Sequence, residues 1–249
     1  MNKLKLFTLV IILLIASASH SFSQKKRYIA PNLLHYDHKP YHFGFSIGLN
    51  KMNFALKSSE DLSALDYSLQ NRTIFDTVYS VLPRHEYGFN IGIVSNLKLG
   101  QHWDLRFIPT LTFGDRNIEY YGVRNGQAIK KIQKIESTFI DIPLHLKYKS
   151  VRMGNTRAYV IGGLKYSYDL ASGEEKEDYE EEVLSSIKKN DYFYELGVGF
   201  DHYFFYFKFS MEIKAAFGIR DMINRDNTIF SNSIDQLKSQ IIMVSLLFE

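Results

Sequence analysis

The sequence predicts an all-β fold, an eight-stranded antiparallel transmembrane β-barrel of the outer-membrane type, and three observations carry that prediction. Eight segments alternate apolar and polar residues. The connections between them alternate long and short. The mature chain contains no apolar run long enough for a membrane helix, which needs about 20 residues. A period of two marks a strand whose two faces differ chemically. Lipid offers backbone groups no hydrogen-bond partners, so a membrane protein without membrane helices must close its strands into a ring. An even strand count, with short turns at one end and long loops at the other, is the pattern of outer-membrane barrels.

The N-terminus reads as a targeting signal. Lys3 and Lys5 form a basic region, Leu6 to Ile15 an apolar one, and Ser21-Phe22-Ser23 places small side chains at −3 and −1 for cleavage before Gln24. Residues 1–23 are therefore expected to be removed, 24–41 to form a periplasmic leader, and 42–249 to form the barrel. No cysteine occurs, which rules out disulfides, thiolate metal sites and a lipid-anchored N-terminus. Without the signal, 28 basic residues stand against 27 acidic ones, a net charge of +1 that gives no argument for nucleic-acid binding. The 17 Tyr and 19 Phe against five Pro favour strands.

Strand one covers about His42 to Phe54, with Phe43, Phe45, Ile47 and Leu49 opposite Gly44, Ser46, Gly48 and Asn50. A polar connection, about Lys57 to His85, leads to strand two, Tyr87 to Leu99. The turn at Gly100-Gln101-His102 is short. Strand three starts at Trp103 and sets Leu105, Phe107, Leu111 and Phe113 against Asp104, Arg106, Thr110 and Thr112. A second long loop is expected from Asp115 to Glu136, with Asn125-Gly126 as a turn signal.

Strand four sets Ile140, Ile142, Leu144, Leu146 and Tyr148 against Asp141, His145 and Lys147. A turn at Met153-Gly154-Asn155 precedes strand five, Arg157 to Leu170, and a charged loop, Ser172 to Asp191. Strand six sets Tyr194, Leu196, Val198 and Phe200 against Glu195, Gly197, Gly199 and Asp201. After a tight turn near Tyr203, strand seven sets Phe205, Phe207, Phe209, Met211, Ile213 and Phe217 against Lys208, Ser210, Glu212 and Lys214. A fourth loop, Asp221 to Lys238, leads to the last strand, Gln240 to Glu249.

With both termini in the periplasm, the four long loops face outward and the three turns inward. Tyr41, Trp103, Tyr148, Tyr203 and Phe248 are expected in the lower aromatic girdle, and Tyr87, Tyr168 and Tyr192 in the upper. A soluble barrel would point its apolar face inward. Here the polar face is small and glycine-rich while the apolar face is bulky, which suits a cramped interior and a lipid-facing exterior.

The polar face carries Asp104, Arg106, Asp141, Lys147, Arg157, Lys165, Glu195, Asp201, Lys208, Glu212 and Lys214. Eight strands leave room for side chains but not for an aqueous channel. Such charges are expected to pair, which offsets the cost of burying each alone. The eight histidines read as solvated or packed within the barrel rather than as metal ligands. No serine sits in a recognisable nucleophile setting, and no outward nucleophile stands near a rim, so no catalytic residue, cofactor or metal is expected. The acidic run Glu174 to Glu182 reads as a solvated loop. Pro109 and Pro143 each lie inside an alternating strand and remove a ladder hydrogen bond. They mark either bulges that curve a small barrel or a weakened seam where a partner docks.

The wording of several strands is more specific than their period. The segments His42-Phe43-Gly44-Phe45-Ser46-Ile47-Gly48-Leu49-Asn50, Gly88 to Leu97, Leu105-Arg106-Phe107-Ile108-Pro109, Ile135-Glu136-Ser137-Thr138 with Ile142-Pro143-Leu144, and Glu195 to Phe200 resemble the PorT family. That resemblance implies an outer-membrane component of the type IX, or Por, secretion system, whose relatives serve gliding motility. It implies other secretion components as partners, alongside outer-membrane lipid and lipopolysaccharide, and it supplies no catalytic motif. A surface adhesion or envelope-stability barrel of the small OmpX type is the alternative.

Overall fold

A computed structural model describes residues 31–59, 62, 75–171, 187–225 and 229–249. The signal segment and the acidic run Glu174–Glu182 lie outside the described residues. Nine strands follow a short 3₁₀ turn at Tyr36–His38: β1 (Tyr41–Ser58), β2 (Thr77–Lys98), β3 (Trp103–Phe107), β4 (Thr110–Arg124), β5 (Gln127–Lys149), β6 (Thr156–Asp169), β7 (Asn190–Tyr203), β8 (Lys208–Gly218) and β9 (Ile234–Phe248). A four-residue helix, α1 (Ile229–Asn232), precedes β9.

All neighbours are antiparallel, and β1 pairs with both β2 and β9, so the sheet closes on itself. Both β3 and β4 lie between β2 and β5, which makes them two halves of one stave. The ring therefore has eight staves. The expected third strand is present but broken at Ile108-Pro109.

The apolar face points out. Phe43, Leu49 and Ile93 are 68%, 70% and 65% exposed, whereas Ser46, Asn50 and Asn90 on the opposite face are buried. A soluble barrel would show the reverse. The exposed band covers nine residues in β1 (Tyr41–Leu49), β5 (Ile140–Tyr148) and β7 (Tyr192–Phe200), close to the about 9–11 that a tilted membrane strand needs.

Beyond that band the strands continue and their polarity inverts. In β1 the outward side changes from Leu49 to Lys51 and Asn53, while the inward side changes from Asn50 to Met52 and Phe54. In β4 the outward Phe113 gives way to Asp115, and the inward Arg116 to Ile118 and Tyr120. Phe54, Phe75, Val78, Val81, Ile118, Tyr120, Met222, Ile223, Ile234 and Leu237 form one buried apolar cluster at this end. The chain thus has a lipid-adapted lower barrel topped by a section with an ordinary apolar core.

The ring opens where the polarity changes. Pairing of β1 with β2 stops at Met52↔Glu86, and the β2–β4 register shifts between His85 and Phe89. Above this level, among the described residues, β1 pairs only with β9, and β2, β4 and β5 form a separate three-stranded sheet.

Several expected loops are strand instead. The segment Asp115–Glu136 is an unbroken hairpin of β4 and β5 in continuous register from Thr110↔Asp141 to Arg124↔Gln127. Its turn is Asn125-Gly126, with φ of 50° and 76°, the left-handed pair that a two-residue hairpin turn requires. β2 likewise begins ten residues before Tyr87, and β9 begins at Ile234 rather than Gln240. Phe205 and Phe207 belong to the turn between β7 and β8, not to a strand. Tyr203, expected in the lower girdle, is fully buried, because it occupies an inward position of β7. Tyr41, Trp103, Tyr148, Tyr87, Tyr168 and Tyr192 are exposed at the rims.

Candidate functional site

The lumen is built from the inward positions of all eight staves. Among the described residues its buried charges number eight cations (Arg106, Arg116, Lys147, Lys149, Arg157, Lys165, Lys208, Lys214) and eight carboxylates (Asp104, Asp141, Asp169, Asp191, Glu195, Asp201, Glu212, Glu249). A group of this size would cost several kcal/mol per ion if unpaired, and nearly all are paired. Lys149 meets Asp104 at 2.5 Å, Lys147 meets Asp201 at 2.9 Å and Lys208 meets Glu249 at 2.8 Å. Arg106 joins Glu212 at 2.8 Å and Glu249 at 3.6 Å. Lys214 meets Glu212 at 3.3 Å.

Higher up, Lys165 bridges Asp141 and Glu195, at 3.4 and 3.2 Å, and His145 shares Glu195 at 2.5 Å. Thr112 and Ser167 donate to Asp141. The side chains are packed tightly: a Cβ at Gly199 would lie 2.5 Å from Cζ of Tyr159. That ring carries Lys147 Nζ at 3.6 Å from its centroid and donates its hydroxyl to Glu212.

Arg116 closes the charged zone. It donates to Asp169 at 3.0 Å and to Ser137 and Ser239, with its guanidinium over the rings of Phe54 and Phe139, at 4.9 and 4.7 Å. Sequence reasoning placed it in a loop and missed it. Asp191 has no ion pair among the described residues, and its Oδ1 accepts from the Tyr192 N–H at 2.8 Å.

The short-turn end is stoppered by residues 31–40, the described part of the expected leader. Asn32 gives its backbone N–H to the Asn155 side chain and donates to the Tyr203 carbonyl, and its own carbonyl accepts from Arg152. Asp37 accepts from Arg157 at 2.9 Å and from the Tyr203 hydroxyl at 3.0 Å, with Arg152 at 3.6 Å. Tyr203 also contacts Arg157. Tyr36 stacks on His42, lies under Lys208 and donates to Glu249 at 3.1 Å. Burial, with the Glu249 carboxylate beside it, pushes the Tyr36 hydroxyl well above the ordinary phenol range, so it remains a donor.

His38 and His42 stand four residues apart, a ligand spacing on a helix. Here His38 is exposed on the 3₁₀ turn and His42 bonds the Tyr36 carbonyl inside the mouth, so they do not share a face. Among the described residues no group of three His, Asp or Glu side chains converges as a metal set.

These contacts predict that Asp37→Ala loosens the stopper by about 1 kcal/mol, the scale of a hydrogen bond to a charged group that is partly exposed. Limited proteinase K digestion of the folded protein should then cut between residues 31 and 41 several-fold faster, leaving the barrel intact. An unchanged cleavage rate would show that Asp37 does not hold the segment.

The third feature lies in the wall. The N–H groups of a strand alternate between its two neighbours. Leu170 donates to the Thr138 carbonyl, so Thr138 faces β6 and odd-numbered residues of β5 face β3 and β4. The nitrogen of Pro143 therefore points toward the Ile108 carbonyl and carries no proton. That carbonyl accepts instead from the hydroxyl of Thr110, at 2.7 Å. On the other side, Ile93 donates to the Pro109 carbonyl at 3.1 Å, and Pro109 cannot return a bond to Ile93. Two prolines thus stand across one stave boundary, and strand pairing is interrupted on both sides of Ile108-Pro109 while the register continues unchanged. Behind it is a cavity of about 20 Å³, room for one water, bordered by Ser46, Asn90, Ile108, Thr110, Asp141 and Pro143.

Residues 22–224 match the family described as "Outer membrane protein beta-barrel domain". The chain belongs to this family. Membership agrees with the exposed apolar band, and together they place the protein as an integral protein of the outer membrane. Among solved structures, the outer membrane protein OprG from Pseudomonas aeruginosa is similar at 12% identity, over 82% of this chain and 92% of that one, with a TM-score of 0.44. No curated protein matches.

Proposed function

We propose that this outer-membrane barrel is a non-enzymatic component of the type IX protein secretion system, needed for export of cargo, gliding adhesins among them, to the cell surface. The filled lumen is the observation that carries the mode of action. Cargo cannot pass between Arg106, Glu212, Glu195 and Lys165, all buried and mutually paired. The contribution is therefore made through surfaces, in scaffolding or maturing the translocation complex. The PorT-like wording of the strands supports the secretion assignment.

Both termini face the periplasm in this reading, since an even number of staves returns the chain to the side of its short turns. There residues 31–40 and an apolar rim, with Val151, Met153, Phe205 and Tyr206 exposed, the last at 94%, offer contact area to other secretion components. The outward band contacts lipid and lipopolysaccharide.

The test is clean deletion and complementation in the native host. Cargo should accumulate in the periplasm and return to the surface on complementation. Normal export with altered adhesion or envelope integrity would discard the secretion assignment. The second reading, an adhesion or envelope-stability barrel of the small OmpX type, is favoured by the β4–β5 hairpin, which stands clear of the apolar band. Shortening that hairpin would then abolish binding to host or matrix molecules and leave export intact.

A further inference from the structure

The long-loop end carries a strand edge that the fold leaves open. β4 pairs with β5 along its whole length, from Gln127 to Asp141 of β5, but the pairing of β5 with β6 begins only at Phe139↔Asp169. The alternation established at Thr138 makes Ala128, Lys130, Ile132 and Lys134 point their N–H and C=O groups away from β4. Among the described residues none of these backbone groups has a partner. The open stretch is about 20 Å long, at 3.4 Å per residue.

Natural edges are commonly blunted by a bulge, a proline or extreme shortness. This one has none of them: its register with β4 runs without a shift and it contains neither Pro nor Gly between Ala128 and Lys134. Its remaining protection is lysine, and that is selective rather than general. Lys130 is neutralised by Glu119 at 3.0 Å. Lys131 and Lys134 have no ion pair among the described residues and project from opposite faces of the strand. Ile132 lies half-buried between Lys130 and Lys134, and Ile129 and Ile135 rest on the apolar cluster. Basic residues on both faces repel a basic or identical edge and attract a carboxylate-bearing one.

We propose that the β5 edge at Ala128–Lys134 is a docking site for an extended, acidic segment of a partner protein, which adds as a further strand. Main-chain bonds at positions 128, 130, 132 and 134 supply the register. Lys131 and Lys134 select carboxylates on either face, and the isoleucines take alternate apolar side chains. The proposal does not depend on the secretion reading.

The test uses the full chain in detergent micelles with two nine-residue probes, one of three Glu-Glu-Val repeats and one of three Lys-Lys-Val repeats, each of which puts its charges on both faces of an added strand. The Glu probe should bind at least tenfold more tightly. Ile132→Pro removes an outward N–H without touching the β4 ladder, and should weaken that binding at least tenfold. Lys131→Glu with Lys134→Glu should reverse the preference, which keeps the test decisive if the proline variant fails to fold. Amide exchange of the free protein supplies an independent readout. Lys130, Ile132 and Lys134 should exchange at least a hundredfold faster than Lys131 and Gln133. Slow exchange at the three outward amides, which would mean that the chain covers its own edge, overturns the proposal. So does equal binding of the two probes, or binding unchanged in the charge-reversed variant.

Discussion

Replacing Arg106 with Met is expected to lower the unfolding free energy of the barrel by about 3–5 kcal/mol, the cost of leaving a buried charge without its partner. Arg106 is fully buried and holds Glu212 at 2.8 Å and Glu249 at 3.6 Å, with Asn96 accepting from Nε at 3.4 Å. Methionine fills much of the volume, so the loss is electrostatic rather than a cavity. It takes one of two cations from each of two buried carboxylates, leaving Glu212 with Lys214 at 3.3 Å and Glu249 with Lys208 at 2.8 Å. The measurement is the urea midpoint of the protein folded into lipid vesicles, followed by the shift in gel mobility between folded and unfolded barrel.

The double change Arg106→Met with Glu212→Gln removes both charges of the closest pair and should recover more than half of the loss. A single variant within about 1 kcal/mol of the parent would show that Arg106 is not an uncompensated keystone of the lumen. Lys57→Met is the control. Its pairing with Asp235 at 3.4 Å is exposed on both sides, and such pairs contribute about 0–1 kcal/mol.

The lower barrel was legible in the sequence because lipid imposes a strict rule. Every outward residue from Tyr41 to Leu49, or from Ile140 to Tyr148, is apolar, and nearly every inward one is small or polar. The upper barrel was not legible, because the rule reverses there and then weakens. In β5 the inward side runs Phe139, Ser137, Ile135, Gln133, Lys131, while Ile132 stands outward between Lys130 and Lys134. Neither face is uniform, so the period of two disappears although the strand continues. Only Asn125-Gly126 announced the hairpin.

Arg116 was hidden for the same reason, lying just beyond the legible region. The stopper at 31–40 was illegible on different grounds. Asn32, Tyr36 and Asp37 have no periodic signal, and their partners Tyr203, Arg152 and Arg157 lie more than 100 residues away. The lumen charges could be read individually as inward, yet their pairing could not, since Lys147 meets Asp201 and Arg106 meets Glu212 across the bore.

Pro109→Ala with Pro143→Ala is expected to stabilise the barrel while impairing its function. Each change restores an N–H aimed at a carbonyl that lacks its ladder bond, at Ile93 and Ile108, and a hydrogen bond of this kind contributes about 0.5–1.5 kcal/mol. For Pro143 the gain is at the lower end, since the Thr110 hydroxyl already occupies the Ile108 carbonyl at 2.7 Å. If the prolines only curve the wall, closing the ladder on both sides of β3 and β4 should leave export untouched. If they hold a yielding seam for a partner within the membrane, export should fall at least tenfold with the folded barrel at its normal amount and a higher urea midpoint. Rising stability with falling export is the combination that a purely architectural proline cannot produce. Equal loss of barrel and export would sink the seam, because the variant would then simply fail to fold or insert. Adding Thr110→Val separates the two halves of the site. It deletes the hydroxyl that substitutes for the missing proton, and should destabilise the proline-containing parent by about 1 kcal/mol. The same change should cost less in a chain that already carries Pro143→Ala, where the restored backbone N–H reaches the Ile108 carbonyl without help.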